Sequence, residues 1–234
     1  MKRLTEYMFH QLLSPLLTPM NIGMPVRLHM RNDLHLFRKA WHMSMGLLIA
    51  LVYLSGMRAT TGVMILGALF ALSLSVEVIR LRVPAINDKV VRFWCPVMRS
   101  CEVNRVSGIP YYLLAALLAV GIFPKPVAVL SILYLAVGDP IASLTGILYG
   151  NRSIRFSNGK SLIGTLGGIF ACFVVGLIYL RSIALPESQT LLIAFVGGLA
   201  GGLAEHLPLE TDDNFSIPIV SGFVLWLTFI LVGI

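Results

Sequence analysis

The sequence predicts an all-α fold, a polytopic integral membrane helical bundle with about seven transmembrane helices. Of its 234 residues, 57% are hydrophobic and only 12% are charged, whereas soluble domains carry about 25% charged residues. The apolar residues come in runs of roughly 17 to 25, which is the length of a helix that crosses a bilayer. The three cysteines show no metal-ligand spacing and imply no disulfide framework.

Seven apolar runs justify the helix count in chain order. They cover approximately residues 40–57, 60–79, 108–124, 126–149, 161–180, 188–206 and 215–233. The third run is short and the fourth is interrupted, so the count is good to one span. The longest connection, roughly 80–107, has room for one amphipathic helix. We divide the chain into a cytoplasmic or interfacial N-terminal segment, 1–37, and a transmembrane catalytic domain, 38–234.

The distribution of basic residues predicts the orientation. Fifteen Lys and Arg residues lie before the first run, between the second and third, and between the fourth and fifth, against three on the opposite side. Cytoplasmic connections carry such an excess, so the N-terminus is predicted to be cytoplasmic. The connection between the sixth and seventh runs falls on the same side, yet its charges are all acidic: Glu205, Glu210, Asp212 and Asp213. This connection is either a solvated turn or a loop that holds a cation.

Asp139 is the most informative residue because it interrupts the fourth apolar run. A carboxylate at membrane depth costs several kcal/mol, so such residues usually face a wet cavity and have a function. Gly138 and Pro140 flank it, and both weaken a helix at that point. The alternative is a neutral, hydrogen-bonded packing residue. The position therefore predicts a functional carboxylate in a broken helix.

Gly159-Lys160-Ser161 lies at the start of the fifth apolar run. A helix N-terminus offers free N–H groups and partial positive charge, which suit phosphate oxygens. Lys160 adds a point charge, and Ser161 or Thr165 can donate hydrogen bonds. The segment is not a Walker A loop, because the earlier glycine and the preceding strand are absent. The segment supports a phosphate site because it follows an intramembrane aspartate, Asp139, on the same predicted side of the membrane.

Asp212-Asp213-Asn214 leads directly into the seventh run and supplies hard oxygen ligands that suit Mg²⁺. A solvated acidic turn or a helix cap is the alternative. Together with the phosphate-binding segment, these residues indicate phosphoryl or nucleotidyl transfer, which needs a cation and positioned phosphates. Because the site lies at a membrane boundary, the predicted acceptor is a lipid.

Basic residues at other cytoplasmic ends complete the candidate site. Arg38 and His42 are four residues apart, so they share a helix face, with Lys39 beside them. These three residues, and Arg105 further along, are candidates for phosphate contacts. Interfacial anchoring explains them about equally well.

At these clusters the chain resembles the CTP-dependent lipid-alcohol kinases: dolichol kinase, phytol kinase and the yeast-type diacylglycerol kinase. It is more distantly similar to phosphatidate cytidylyltransferases. The matching residues are Arg38-Lys39-x-x-His42, Gly138-Asp139-x-x-Ala142-Ser143, Gly159-Lys160-Ser161-x-x-Gly164-Thr165 and Asp212-Asp213-Asn214-x-x-x-Pro218. The resemblance implies that the γ-phosphoryl group of CTP is transferred to diacylglycerol, phytol or a polyprenol at the cytoplasmic face.

The residues themselves and the resemblance together predict roles for the site residues. Asp139 and Asp213 would bind Mg²⁺, with Asp212 as a further ligand or as general base. Lys160 would bind a phosphate. The remaining nucleotide- and phosphate-binding candidates are Arg38, Lys39, His42, Arg105, Ser143, Gly159, Ser161, Thr165 and Asn214. Many family members carry an acidic residue where this chain has Ile163, so that role is missing or has moved to Glu205 or Glu210.

Two alternatives stay open: a CTP-dependent cytidylyltransferase that makes a CDP-lipid, and an ion or lipid transporter with Asp139 as a midplane ion site. We expect an integral protein of the bacterial inner (plasma) membrane with its active site on the cytoplasmic side. Its expected partners are a nucleoside triphosphate, a membrane lipid and the bilayer, and no nucleic acid. A homo-oligomer is left open.

Overall fold

The computed structural model describes residues 35–156, 158–207 and 212–234. These residues form an all-α bundle, and the β pairing among them is one isolated bridge between Arg155 and Ser161. The α-helices are α1 Leu36–Leu54, α2 Ala59–Arg82, α3 Pro84–Trp94, α4 Gly108–Ile122, α5 Lys125–Leu133, α6 Asp139–Tyr149, α7 Leu162–Ser182, α8 Glu187–Leu203 and α9 Asp213–Leu231. The predicted all-α membrane bundle is confirmed. Most of the predicted N-terminal segment, and Glu210, lie outside the described residues.

Five described helical segments are long and apolar enough to cross a membrane. They are Ala59–Arg82, Lys125–Arg152, Leu162–Ser182, Glu187–His206 and Asp213–Leu231. The other two predicted spans are also helices, but α1 is not among these segments and α4 is a shorter apolar helix. The number seven therefore stays a prediction.

The interrupted fourth run is the centre of the bundle. It forms a continuous helical segment, Lys125–Arg152, in which Tyr134–Gly138 form a π-helical turn between α5 and α6. Pro140 stands in the first turn of α6, where its missing N–H removes a hydrogen bond from the helix. Before this turn the chain is completely enclosed, with Val127 and Leu130 at 0% exposure. The interruption thus places Asp139 at the edge of the core.

Helices α7 and α8 pack closely because glycines replace side chains along their contact. A Cβ atom on Gly202 would lie 2.7 Å from the backbone nitrogen of Ile169, and one on Gly198 would lie 3.0 Å from the Cβ of Phe173. Small residues allow this approach between membrane helices. The contact brings the start of α7, with Thr165, against the end of α8, where Glu205 follows.

The long connection between α2 and α4 contains the amphipathic helix that the sequence predicts, α3. Arg80, at the end of α2, is 0% exposed and links α2 to α3. The Arg80 guanidinium forms an ion pair with Glu77 at 2.6 Å and donates to Asn87 and to the carbonyls of Glu102, Val103 and Arg105. A buried charge needs such complete pairing. The network fixes the segment that carries Arg99 and Glu102 above the bundle.

Candidate active site

Three carboxylates from three separate helix ends meet at one point. Asp139 begins α6, Asp213 begins α9, and Glu205 lies in the 3₁₀ turn Ala204–His206 that follows α8. One oxygen from each side chain lies within 4.8 Å of the others. Asp139 and Asp213, the two residues expected to bind Mg²⁺ together, thus lie close to each other, with Glu205 as the third carboxylate. Oxygen donors in this number and spacing suit a hard divalent cation.

Asp212 has a different position from the one predicted. It is the N-cap of α9, and its Oδ1 accepts a hydrogen bond from the backbone N–H of Asn214 at 2.9 Å. It lies outside the three-carboxylate cluster, in which Glu205 stands instead. Burial raises the pKa of Asp212 to about 6. The geometry thus supports the helix-cap alternative for Asp212, whereas its roles as metal ligand and general base stay predictions.

Lys160 is positioned between two of the three carboxylates. Its Nζ donates to Glu205 Oε2 at 2.8 Å and to Asp213 Oδ2 at 2.9 Å. Burial opposes its charge, but the two carboxylates outweigh that effect and raise the pKa of Lys160 above its ordinary value. The preceding Gly159 has φ +82, a left-handed conformation that glycine adopts without strain. The turn at Gly159 therefore places the Lys160 ammonium group next to the carboxylates of Glu205 and Asp213.

The cluster has the charge that a divalent cation requires. The three negative charges of the carboxylates face the single positive charge of Lys160, which leaves two negative charges when all three acids are ionised. Glu205 and Lys160 are mostly buried, with side chains 9% and 16% exposed. Like charges held together out of water repel strongly unless a cation compensates them. The residues present therefore fit Mg²⁺.

Two hydroxyls of the Lys160 segment make contacts within the protein. Ser161 is the N-cap of α7, and its Oγ accepts from the N–H of Gly164 at 3.1 Å. Thr165 Oγ1 lies 2.6 Å from His206 Nε2 and 3.4 Å from Glu205 Oε1. Thr165 therefore borders the carboxylate cluster, while the Ser161 hydroxyl stabilises the helix start. His206 was not predicted from the sequence.

A small polar cavity of about 30 Å³ opens beside Asp139. Its basic lining includes Arg99, which the sequence analysis did not single out. Arg38 and His42, which share a face of α1, both line this cavity. His42 Nε2 lies 3.9 Å from Asp139 Oδ2 and 3.1 Å from the carbonyl oxygen of Leu135. The cavity is lined by His35, Arg38, Lys39, His42, Arg99, Asp139, Pro140 and Ser143.

Two of the predicted basic residues have additional or different partners. The Arg38 guanidinium makes a paired contact with Glu102, at 2.9 and 3.0 Å, and donates to the carbonyl of Val97 at 2.8 Å. Arg38 therefore fixes the connection before α4 as well as lining the cavity. Arg105 is exposed and does not line this cavity. The structure thus brings Arg38 to the site and leaves Arg105 apart from it.

Asn214, the remaining candidate, lies next to Asp213 and is buried. Its Nδ2 donates to the carbonyl of Gly108 at 3.3 Å, which links the start of α9 to the start of α4. This contact between distant parts of the chain has no signal in the sequence. Glu205 had a weak signal, because it belongs to an acidic connection on the basic side of the protein.

The fold and the site together define a helical membrane protein in which a carboxylate cluster and a small cavity lined by basic residues lie at the ends of the helices. The chain is 30% identical over 199 residues to CTP-dependent diacylglycerol kinase 1 of Schizosaccharomyces pombe, with 81% of this chain and 91% of that protein covered. It is 33% identical over 135 residues to probable phytol kinase 1, chloroplastic, of Glycine max, with 53% and 44% covered. It is also 29% identical over 133 residues to farnesol kinase, chloroplastic, of Arabidopsis thaliana, with 53% and 43% covered.

These similarities show that the chain belongs to the CTP-dependent lipid-alcohol kinase family. The resemblance found in the sequence motifs is therefore confirmed. No family model matches the chain, and no solved structure matches it.

Proposed function

We propose that this protein transfers the γ-phosphoryl group of CTP to the hydroxyl of a lipid alcohol at the cytoplasmic face of a membrane. The observation that carries the proposal is the meeting of Asp139, Glu205 and Asp213 beside a cavity with basic residues. A cation site next to cationic side chains is what phosphoryl transfer requires. The named relatives are kinases of diacylglycerol, phytol and farnesol, which supports an alcohol as acceptor.

Asp139, Glu205 and Asp213 are the residues that would hold Mg²⁺. Such an ion would offset the negative charge that develops on the phosphate oxygens. This assignment replaces Asp212 with Glu205 in the ligand set. Glu205 would also supply the carboxylate that many family members carry at the position of Ile163.

The basic side chains would position the triphosphate. Lys160 lies at the carboxylates, and its ammonium group would pair with a phosphate oxygen. Lys39 and Arg99 line the adjacent cavity, where they would contact the remaining phosphates. Positioning of this kind accounts for most of the catalysis in phosphoryl transfer.

The chemical step needs one new bond and one proton acceptor. The lipid hydroxyl oxygen forms a bond to the γ-phosphorus, and the bond from that phosphorus to the β–γ bridging oxygen breaks, so that CDP leaves. The hydroxyl proton passes to a carboxylate, for which Asp212 is the candidate. The carboxylate of Asp212 lies beside Asp213 and is held in place by its hydrogen bond from Asn214.

The cytoplasmic location rests on the charge asymmetry of the connections, fifteen basic residues against three. CTP is a cytoplasmic metabolite, so an active site on that side has direct access to it. The plasma membrane as the location remains a sequence-based expectation.

Labelled CTP tests the proposed function directly. Purified full-length protein in mixed micelles is given Mg²⁺, CTP labelled at either the α- or the γ-phosphate, and a panel of diacylglycerol, phytol, farnesol and longer prenols. A kinase labels the lipid only from the γ-phosphate. Transfer of the α-label to a phosphatidate acceptor, with release of pyrophosphate, would identify a cytidylyltransferase instead. Absence of lipid labelling from either nucleotide would refute both enzyme functions.

Asp139→Asn is the decisive variant in this assay. It removes one charge from the cluster without changing side-chain size, and we expect turnover to fall about 10²- to 10³-fold, as for other removed transition-state contacts. Asp88→Asn is the matched control, because Asp88 lies on α3 and is not part of the carboxylate cluster. Equal activity of wild type and Asp139→Asn would remove Asp139 from the mechanism.

A further inference from the structure

A large apolar cavity lies among α1, α2, α3 and α4. Its volume is about 430 Å³, within the range of roughly 300–1,000 Å³ that is typical of small-molecule sites. Met45 and Ile49 of α1, Leu113 of α4 and Trp94 at the end of α3 contribute to its walls. The lining is therefore hydrocarbon over most of its length, unlike the small polar cavity at Asp139.

Helix α2 forms one wall with a stripe of residues at helical spacing, Leu69, Leu72, Ser73 and Val76. Leu69, Leu72 and Val76 are 45%, 63% and 40% exposed in the described chain. Where the other described helices leave large apolar side chains of a membrane helix uncovered, these side chains contact the hydrocarbon of the bilayer. The cavity is thus accessible to a chain that comes from the bilayer.

The polar end of this cavity lies beside the carboxylate cluster. His42 lines both cavities, and its Nε2 lies 3.9 Å from Asp139 Oδ2. Asn214 lines the apolar cavity and is the immediate neighbour of Asp213. A molecule with its hydrocarbon part in the cavity and its polar end at His42 and Asn214 would therefore reach the proposed phosphoryl-transfer site.

The charges at this end are already paired within the protein. Arg38 is bound by Glu102, and Glu77 is bound by Arg80. His42 and Asn214 also line this end and already contact the backbone carbonyls of Leu135 and Gly108. Both are hydrogen-bonding groups of the kind that recognise a hydroxyl. An uncharged alcohol fits this end better than a lipid whose headgroup carries a phosphate, because a buried anion would need an unpaired cation.

We propose that the cavity among α1, α2, α3 and α4 holds the hydrocarbon part of an uncharged lipid alcohol, with its hydroxyl at His42 and Asn214 facing Asp139. This inference rests on the proposed function and adds the location of the acceptor. It also identifies Met45 and Leu113 as residues that determine which hydrocarbon chains are accepted, because their side chains line the cavity away from its polar end.

Two cavity-filling variants, Met45→Trp and Leu113→Trp, test the proposal, with Leu48→Trp as control. Leu48 lies on the same helix as Met45, is 52% exposed and does not line the cavity. We expect the filling variants to raise the KM for a long-chain alcohol about tenfold or more, as when a hydrophobic pocket rejects a group that no longer fits. The KM for CTP should stay unchanged. Equal lipid KM values for all three variants would overturn the proposal.

Photo-crosslinking of the wild-type protein gives a second readout that does not depend on folding of the variants. An uncharged long-chain alcohol with a diazirine in its hydrocarbon chain is irradiated with the full chain in micelles, without CTP, and the modified peptides are identified by mass spectrometry. We expect modification in the helices α1, α2 and α4 at cavity positions. Modification confined to the outer faces of α7 and α8, or equal labelling by a phosphatidate analogue, would overturn the proposal.

The two failures are distinguishable. If crosslinks map to the cavity but no phosphate moves from CTP to any alcohol, the proposed function fails and the lipid site stands. If the alcohol is phosphorylated but both readouts miss the cavity, the proposed function stands and the location of the acceptor is wrong.

Discussion

Glu205→Gln tests whether the three carboxylates form a divalent-cation site. Glutamine keeps the size of the side chain but removes one of the three negative charges. It also removes the ion pair between Lys160 Nζ and Glu205 Oε2 at 2.8 Å. Lys160 keeps Asp213, at 2.9 Å, as its partner. The variant should therefore fold, while its site attracts a cation less strongly.

The magnitude follows from the charge and the contacts. At 2.8 Å, two unit charges attract by about 6 kcal/mol at an effective dielectric constant of 20, before the cost of desolvation is subtracted. Loss of even an outer partner of a metal site costs about 10- to 100-fold in affinity, which is about 1.4 to 2.8 kcal/mol. Loss of a direct ligand should reach the upper end of this range.

Thermal unfolding of the full-length protein in detergent, with increasing Mg²⁺, measures this loss. At a concentration 100 times the dissociation constant, the ion stabilises wild type by about 2.7 kcal/mol, and a variant with 100-fold weaker binding gains only about 0.4 kcal/mol. The difference corresponds to about 5 to 9 °C in Tm for a chain of this size.

Glu187→Gln is the control because Glu187 begins helix α8, at the end opposite Glu205, and pairs with Arg181 instead of Lys160. We expect it to respond to Mg²⁺ as wild type does. Full Mg²⁺ stabilisation of Glu205→Gln, or no stabilisation of wild type, would refute the assignment of these carboxylates to a metal site.

Three further predictions follow from the contacts of the site. Lys160→Met should strengthen Mg²⁺ binding in the same unfolding assay, because it removes the ammonium that competes for the carboxylates. The same variant should slow turnover by about 10²- to 10³-fold. Weaker Mg²⁺ binding would contradict the competition between Lys160 and the ion. Asp212→Asn should keep the α9 cap, since asparagine caps as well as aspartate. If Asp212 is the general base, kcat should fall about 10²- to 10⁴-fold. An unchanged kcat would mean that Asp212 serves only as the helix cap. Glu102 is buried, but its hydrogen bonds and charge interaction with Arg38 lower its pKa in the folded protein, so its contribution to stability should be present above its ordinary pKa of 4.5 and be lost as the pH falls below that value. Glu102→Gln should therefore lower stability by about 1.5 to 3 kcal/mol at neutral pH and flatten the acid side of a Tm–pH curve. An unchanged curve would count against the ion pair.

The local features of the fold were predictable because they depend on neighbouring residues. The apolar runs indicate helices, and the acidic interruption at Asp139 marks the weak point where the π-helical turn forms. The ion pair between Glu77 and Arg80 follows from their spacing along a helix. The amphipathic helix α3 follows from the composition of the longest connection.

The sequence by itself determined that this is a helical membrane protein with carboxylates and a lysine suited to phosphate chemistry, because hydrophobicity and residue type are properties of the chain. Only the tertiary structure decided that Glu205 joins Asp139 and Asp213, that Asp212 is a helix cap, and that an apolar cavity ends at His42 and Asn214. Those outcomes depend on how helices rotate and how closely they approach. The glycines of α8 that pack against α7 bring Thr165 close to Glu205, and residues so far apart in the chain carry no local record of such a contact.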